Sequence, residues 1–181
     1  MLVTVVAGRG SMPRKAGVYM VVGEDGRVTG TIGGGNLEYQ ATLLGQKLLT
    51  EKKNYLHEYN LGQEKSAELG MACGGNATVL FYFVDVREDA VWIRQMEEAE
   101  KKREAFWILM PLEEGKIKIL PEFQTFAHQS VTEIDGARFY AEQFSYDGKV
   151  YIFGGGHLAQ ELVPVLSHLG FRCIVSDDRE E

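Results

Sequence analysis

Two glycine triplets, each set between a β-rich run and a helical pattern, place the strongest limits on how this chain can fold. Gly33-Gly34-Gly35 follows the run Arg27 to Ile32 and precedes leucines and alanines that recur at helical spacing. Gly154-Gly155-Gly156 follows the apolar run Val150 to Phe153 and precedes a helix that continues to about Leu169. Strands and helices that alternate in this way predict the α/β fold class.

The remaining pattern adds further strands and helices. We predict strands over Leu2 to Ala7, Gly17 to Val22, Arg27 to Ile32, Tyr55 to Leu61, Ala77 to Val84, Ala105 to Met110, Lys116 to Leu120, Ala137 to Phe144 and Arg172 to Ser176, with helices over Asn36 to Glu51, Gln63 to Leu69 and Glu88 to Glu104. The Asp25-Gly26 pair predicts a hairpin. A change of composition near residues 145–148 predicts a boundary between a mixed-sheet α/β domain at 1–145 and the incomplete start of a Rossmann-like domain at 146–181.

Composition and charge exclude several classes of partner. The chain has 181 residues, of which 45% are hydrophobic, and carries a formal net charge of -7. Nonspecific binding to nucleic acid or to an anionic membrane requires positive charge, which an acidic chain lacks, so we expect neither as a partner. The sequence contains no apolar run of ~18 residues and no basic leader, and its two cysteines do not form a disulfide framework. We therefore predict a location in the reducing cytoplasm.

The C-terminal segment fits the opening of a dinucleotide-binding fold. Gly154 allows a tight turn, Gly156 lets a pyrophosphate approach the backbone, and Ala159 takes the helix-packing position. Asp177 lies 23 residues after Gly154, where an acid commonly binds a ribose hydroxyl. His157 either contacts a ligand in the turn or simply begins the helix. The alternative interpretation is a packed strand–helix–strand fragment whose glycines serve only the turn.

The first glycine tract is a candidate anion site. A turn between a strand and a helix exposes N–H groups to a phosphate or carboxylate, so Gly33, Gly34 and Gly35 are candidate ligand contacts; the alternative is a turn that needs positive φ. Glu38, in the first helical turn, is either part of this site or an acid that stabilises the helix start. Ser11 and Arg14 occupy the loop after the first strand, where Arg14 either grips an anion or forms a surface salt bridge.

Cys73 is the most informative residue in the chain. Small neighbours surround it in the tract Gly70 to Gly75, which leaves the thiol and the backbone of Gly74 and Gly75 accessible to a ligand. No histidine is adjacent in sequence, so a soft ligand for sulfur or a transition metal is a better interpretation than a nucleophile with a base. A buried small apolar residue, a spacer or an incidental thiol are the alternatives, and we interpret Cys173 as a core residue.

Four motifs in order resemble the XdhC/CoxI family, over nearly the whole chain. They are Ser11-Met12-Pro13-Arg14; Gly30-Thr31-Ile32-Gly33-Gly34-Gly35-Asn36-Leu37-Glu38; Cys73-Gly74-Gly75; and Gly154-Gly155-Gly156-His157-Leu158-Ala159 with Asp177-Asp178-Arg179. The resemblance implies an accessory protein for molybdenum hydroxylases such as xanthine dehydrogenase. It implies transient binding of the molybdenum cofactor (molybdopterin), sulfur supplied by a cysteine desulfurase, and delivery to the apo-hydroxylase. It also implies that Cys73 binds the molybdenum or handles sulfur.

The resemblance therefore favours a cofactor chaperone over a classical enzyme. Two alternatives stay open: an NAD(P)-dependent oxidoreductase built on Gly154 to Asp177, and a non-catalytic interaction fragment. Family members carry a helical segment before the first strand and a full Rossmann domain, so this chain is expected to hold only the start of that domain. Exposed sheet edges in such a chain predict a homo-oligomer.

Overall fold

A computed structural model describes five stretches of the chain, residues 1–10, 15–61, 75–124, 127–145 and 148–179. Three sheets and three helices form the regular structure of these residues. None of these helices is both long enough and apolar enough to cross a membrane. The predicted helix at 63–69 lies outside the described residues, as do the site candidates Ser11, Arg14, Cys73 and Gly74.

The first sheet has five strands in the order β3-β2-β1-β5-β4. Its elements are β1 (Leu2–Arg9), β2 (Tyr19–Gly23), β3 (Gly26–Gly30), α1 (Gly35–Glu51), β4 (Tyr55–Asn60) and β5 (Asn76–Tyr82). Every neighbouring pair is antiparallel, so the prediction of a mixed sheet is wrong for this part of the chain. The reason is the course of the chain: β2 and β3 form a hairpin, and α1 then carries the chain to the opposite edge of the sheet, where β4 and β5 pair with each other.

Helix α1 covers one face of this sheet. Its buried side chains Leu37, Ala41 and Leu48 keep the helical spacing that predicts the helix. They pack in one core cluster with the β1 residues Val3 and Val5, both fully buried. Burial of each such aliphatic side chain contributes about 1.5–3 kcal/mol.

The second sheet covers the other face of the first. It consists of β6 (Phe106–Pro111), β7 (Lys118–Leu120), β8 (Gln129–Ile134) and β9 (Ala137–Phe144), all antiparallel in the order β7-β6-β9-β8, and it follows α2 (Ala90–Lys102). The core cluster between the sheets includes Leu80, Ile108 and Tyr140, together with Trp92 of α2. The sequence pattern does not predict β8, because this edge strand buries none of its side chains fully and carries no apolar run.

The C-terminal unit is a parallel strand–helix–strand arrangement, as its sequence predicts. β10 (Lys149–Phe153) and β11 (Arg172–Ser176) pair in parallel, with α3 (His157–His168) between them in sequence. Several of its large apolar side chains are exposed, among them Phe153 at 86% and Leu158 at 87%. The Rossmann-like character of this unit and the domain boundary near residue 145 stay predictions.

Candidate functional site

The ends of three strands of the first sheet meet at Asn76. Asn76 begins β5 and pairs with both Arg9, the last residue of β1, and Asn60, the last residue of β4. The Leu61 N–H donates to the Gly75 carbonyl at 2.7 Å, so buried Gly75 is held beside the end of β4. The described residues that flank segment 62–74, and the end of β1 before segment 11–14, therefore lie at one end of the sheet.

The first glycine turn leaves the sheet in the same direction, but from the level of Val3 in β1, several residues before Arg9. β1 and β2 are antiparallel, and β2 begins at Tyr19 opposite Thr4, so β3, which runs parallel to β1, ends on the side toward which β1 runs. The Thr31 N–H donates to the Tyr19 carbonyl at 2.9 Å, which fixes the start of the turn to β2. We call this end of the sheet, formed by the ends of β1, β3 and β4 and the start of β5, the strand-end face.

The backbone of the turn requires glycine. Gly33, Gly34 and Gly35 have φ values of 130°, 74° and 60°, a region that residues with a Cβ rarely adopt. A Cβ built on Gly34 would meet no atom within 4 Å, so conformation rather than space explains the glycine there. Open space above Gly34 also lets a ligand approach the backbone.

The Glu38 carboxylate accepts hydrogen bonds from the N–H groups that the turn exposes. One carboxylate oxygen accepts hydrogen bonds from the Thr31 hydroxyl at 2.5 Å, the Ile32 N–H at 3.1 Å and the Gly34 N–H at 3.2 Å. The other lies 3.4 Å from Nε of Arg27, and the Glu38 side chain is 15% exposed. These contacts match the interpretation of Glu38 as an acid that stabilises the helix start. A contact between Glu38 and a cofactor stays a prediction.

The pKa of Glu38 reflects these contacts. Burial alone would raise it, but the hydrogen bonds from Thr31, Gly34 and Ile32, together with the charge of Arg27, outweigh burial and hold the pKa below its usual value. Glu38 is therefore an ionised carboxylate near neutral pH, and the turn binds an anion that belongs to its own chain.

The second glycine turn also contacts an acid. The Gly155 N–H donates to Asp177, and the Gly154 N–H donates to the Ser176 carbonyl at 2.7 Å. Arg179 donates to both oxygens of Asp177, at 2.8 and 2.7 Å. These bonds from Arg179 and Gly155 lower the pKa of Asp177. The structure thus brings the second glycine triplet and Asp177 together.

Other features of the second turn differ from the nucleotide-binding pattern. Gly156, with φ -70° and ψ -176°, has an extended backbone that any residue adopts, and a Cβ there would meet no atom within 4 Å. His157 begins α3 and is exposed. Whether Gly154, Gly156, His157 and Asp177 contact a nucleotide stays a prediction.

The sequence patterns do not reveal a polar cluster between the first two sheets. Tyr19 of β2 donates to a carboxylate oxygen of Glu142 on β9, and Tyr140 lies 3.2 Å from the same oxygen and 3.1 Å from Gln129 on β8. One sequence signal indicates this cluster. Glu142 lies midway between Tyr140 and Phe144, at the two-residue spacing of side chains on one face of a strand, so an acid occupies a row of inward-facing apolar side chains. We call Tyr19, Gln129, Tyr140 and Glu142 the inter-sheet cluster.

The described residues contain no group of three or more His, Cys, Asp or Glu side chains that could hold a metal ion. The predicted thiol ligand, Cys73, lies outside those residues. Cys173, on β11, is a free cysteine of intermediate burial, less enclosed than the core position expected for it.

Comparisons with known proteins agree on the architecture. A crystal structure from Bacillus halodurans, described as a xanthine dehydrogenase, superposes with a TM-score of 0.72 at 22% identity, over 98% of this chain and 58% of that chain. This chain therefore spans less than two thirds of that protein's length. No curated protein matches the sequence significantly. The family model described as the XdhC and CoxI family matches residues 1–60, and it confirms the resemblance over those residues, which hold the first two of the four motifs.

Proposed function

We propose that this chain is an accessory factor in the maturation of a molybdenum hydroxylase of the xanthine dehydrogenase type. It binds the molybdenum cofactor while sulfur is supplied by a cysteine desulfurase, and it delivers the cofactor to the apo-enzyme. One observation carries the proposal: segment 11–14 follows the end of β1 and segment 62–74 lies between Leu61 and Gly75 at the strand-end face, toward which the first glycine turn also leaves β3. The family match over residues 1–60 covers two of the four family motifs.

The first glycine turn suits the terminal phosphate of such a cofactor. Glu38 already takes the amides of Ile32 and Gly34, so a phosphate would use the N–H groups of Gly35 and Asn36. These amides lie in the first turn of α1, where no carbonyl of the helix can accept them and the helix dipole favours negative charge. In this proposal Ser11 and Arg14 add side-chain donors to the phosphate site.

A soft thiol complements the phosphate site. We assign that role to Cys73, flanked by Gly74 and Gly75, because a thiolate is a ligand that both molybdenum and sulfur accept. In the same proposal the chain works in the cytoplasm, as a homo-oligomer, with the apo-hydroxylase and the desulfurase as partners.

The test is cofactor retention in a pair of matched variants. Wild-type chain, Cys73→Ala and Cys173→Ala are purified anaerobically from cells that make the cofactor, and molybdenum and oxidised pterin are measured. The wild type and Cys173→Ala are expected to retain both, because Cys173 lies on β11, which belongs to a separate sheet with β10. Cys73→Ala is expected to retain about tenfold less molybdenum, equivalent to the loss of about 1.4 kcal/mol of binding energy.

Other outcomes contradict the proposal in distinct ways. Absence of both molybdenum and pterin from the wild type overturns the carrier function. Equal molybdenum retention by the wild type and Cys73→Ala would show that the Cys73 thiol does not contribute to cofactor binding. Tight binding of NAD(P) with substrate turnover, and no cofactor retention, supports the oxidoreductase alternative.

A further inference from the structure

Helix α3 has one apolar side that packs against its own sheet. Ala159 is buried, and Val163 and Leu166 are half-buried. Residues three and four positions apart lie on one side of a helix, and α3 contacts β11. This side therefore has the burial that a helix acquires when it covers a sheet.

A second row of apolar side chains lies beside the first and is exposed. It consists of Leu158, Leu162, Val165 and Leu169, which are between 46% and 87% exposed. Leu169 directly follows α3, and its N–H donates to the Val165 carbonyl at 3.1 Å, so the row keeps the helical path to its end. We call these four residues the α3 seam.

The spacing of the α3 seam is typical of a helix that pairs with another helix. Its members are four, three and four positions apart, which is the repeat of the a and d positions in a coiled coil. Single exposed apolar side chains are ordinary on a protein surface, but a continuous row indicates an interaction site. The other described parts of the chain leave this row uncovered, so it is available to a second helix.

The same spacing makes the α3 seam complementary to itself. Steps of four, three and four read identically in both directions, so two antiparallel seams place Leu162 opposite Val165 of the partner subunit. The outer residues then match as well, with Leu158 opposite Leu169 of the partner subunit. Both subunits of a two-fold dimer use the same patch, and each such contact occurs twice.

Polar groups beside the seam favour the antiparallel arrangement. Glu161 and His168 are exposed, and both lie on the side of the seam away from Ala159 and Leu166. An antiparallel pair brings Glu161 within one helical turn of His168 of the partner subunit, since a helix rises about 1.5 Å per residue. A parallel pair places Glu161 at the level of Glu161 of the partner subunit instead. The carboxylate therefore meets an imidazole N–H donor only when the helices run in opposite directions.

We propose that two copies of this chain associate through their α3 seams, with the two helices antiparallel. This inference rests on the homo-oligomer named in the proposed function and gives that oligomer a surface. One helix pair buries less than the roughly 1,200 to 2,000 Å² of a stable standard interface, so we expect a weak dimer with a Kd on the order of 10 μM.

The first test is the mass of the full chain in solution, measured by sedimentation equilibrium at concentrations on both sides of that Kd. The mass of the wild type is expected to rise from one protomer toward two as the concentration increases. Leu162→Glu and Val165→Lys each place an unpaired charge against an apolar side chain, twice per dimer. Each is expected to weaken association about a hundredfold, or about tenfold per contact.

A mixture of these two variants tests the pairing itself. In a mixed dimer, the carboxylate introduced at position 162 of one subunit faces the ammonium introduced at position 165 of the other, and the second central contact stays as in the wild type. The mixture is therefore expected to form dimers at concentrations where neither variant does so alone. A purely structural effect of either substitution would not be rescued by mixing.

Val91→Lys is the matched control. Val91 is an exposed valine on α2, outside the α3 seam, so this variant is expected to dimerise as the wild type does. All three substitutions change exposed side chains, so the unfolding midpoints are expected to stay at the wild-type value.

Three outcomes overturn the inference. The wild type stays monomeric at every concentration, which leaves the seam to a different partner. Alternatively, Leu162→Glu and Val165→Lys both dimerise as tightly as the wild type. In the third outcome, the mixture stays monomeric although each variant unfolds at the wild-type midpoint.

The dimer and the carrier function fail separately. A monomeric wild type that retains molybdenum and pterin overturns the dimer and supports the carrier function. A wild-type dimer that Leu162→Glu disrupts, in a chain that retains neither molybdenum nor pterin, supports the dimer and overturns the carrier function.

Discussion

The two glycine turns look alike in sequence but differ in how each neutralises its exposed N–H groups. The first uses Glu38, which lies on the helix that the turn begins, and this acid is 15% exposed. The second uses Asp177, which follows the neighbouring strand and is held by an exposed arginine, Arg179. The first triplet is therefore flanked by the buried residues Ile32 and Leu37, whereas the second is flanked by the exposed residues Phe153 and His157.

Removal of each acid in turn should give the largest difference in stability between the two turns. Glu38→Ala leaves the amides of Ile32 and Gly34 and the Thr31 hydroxyl without their acceptor, so we expect a loss of about 2 to 3 kcal/mol in the free energy of unfolding. Asp177→Ala is expected to leave the unfolding midpoint unchanged, because its partners are exposed to water. Chemical denaturation of both variants measures this, and equal losses would show that the two turns are equivalent.

Alanine at the second glycine of the first turn should cost less than loss of Glu38. Gly34→Ala forces a Cβ into φ 74°, so we expect a loss of about 1 to 2 kcal/mol from backbone strain. Gly156→Ala in the second turn meets neither strain nor a neighbouring atom, so its effect should stay within about 0.5 kcal/mol. Thermal unfolding of the two variants provides the comparison, and a neutral Gly34→Ala would contradict the requirement for positive φ.

The smallest effect is expected in the loss of folding stability as the pH becomes acidic. Because the pKa of Glu38 is lower in the folded chain than its usual value of about 4.3, its ionisation contributes stability above that pH, and this contribution is lost as the pH falls through the lowered pKa. Glu38→Gln should therefore lose less stability than the wild type between neutral and acidic pH. Parallel pH profiles of the two chains would show that Glu38 contributes nothing through its charge.

Local patterns predicted most of the elements. Apolar side chains at helical spacing gave a helix over 36–51, and α1 spans Gly35–Glu51. The strands expected over Ala137 to Phe144 and Arg172 to Ser176 are found with the same bounds. These elements carry their own signal, because burial of one face imposes a period on the sequence.

Features that depend on distant residues were not predictable in the same way. Strand direction depends on which edge α1 crosses to, and no local pattern encodes that choice. The contact between Tyr19 and Glu142 joins residues 123 positions apart, so only the folded chain brings them together. β8 was not predicted because neither face of the strand is apolar, although its exposed and half-buried residues alternate. An edge strand can lack an apolar face in this way.

Burial is unevenly divided along the chain, and this sets the limits of cooperative unfolding. Among the described residues beyond 145, the one buried apolar side chain is Ala159, whereas the first two sheets share three core clusters. Cooperativity comes from shared burial, so a calorimetric transition of this chain reports chiefly the melting of the first two sheets. The parallel unit contributes to that transition only in proportion to the little it buries.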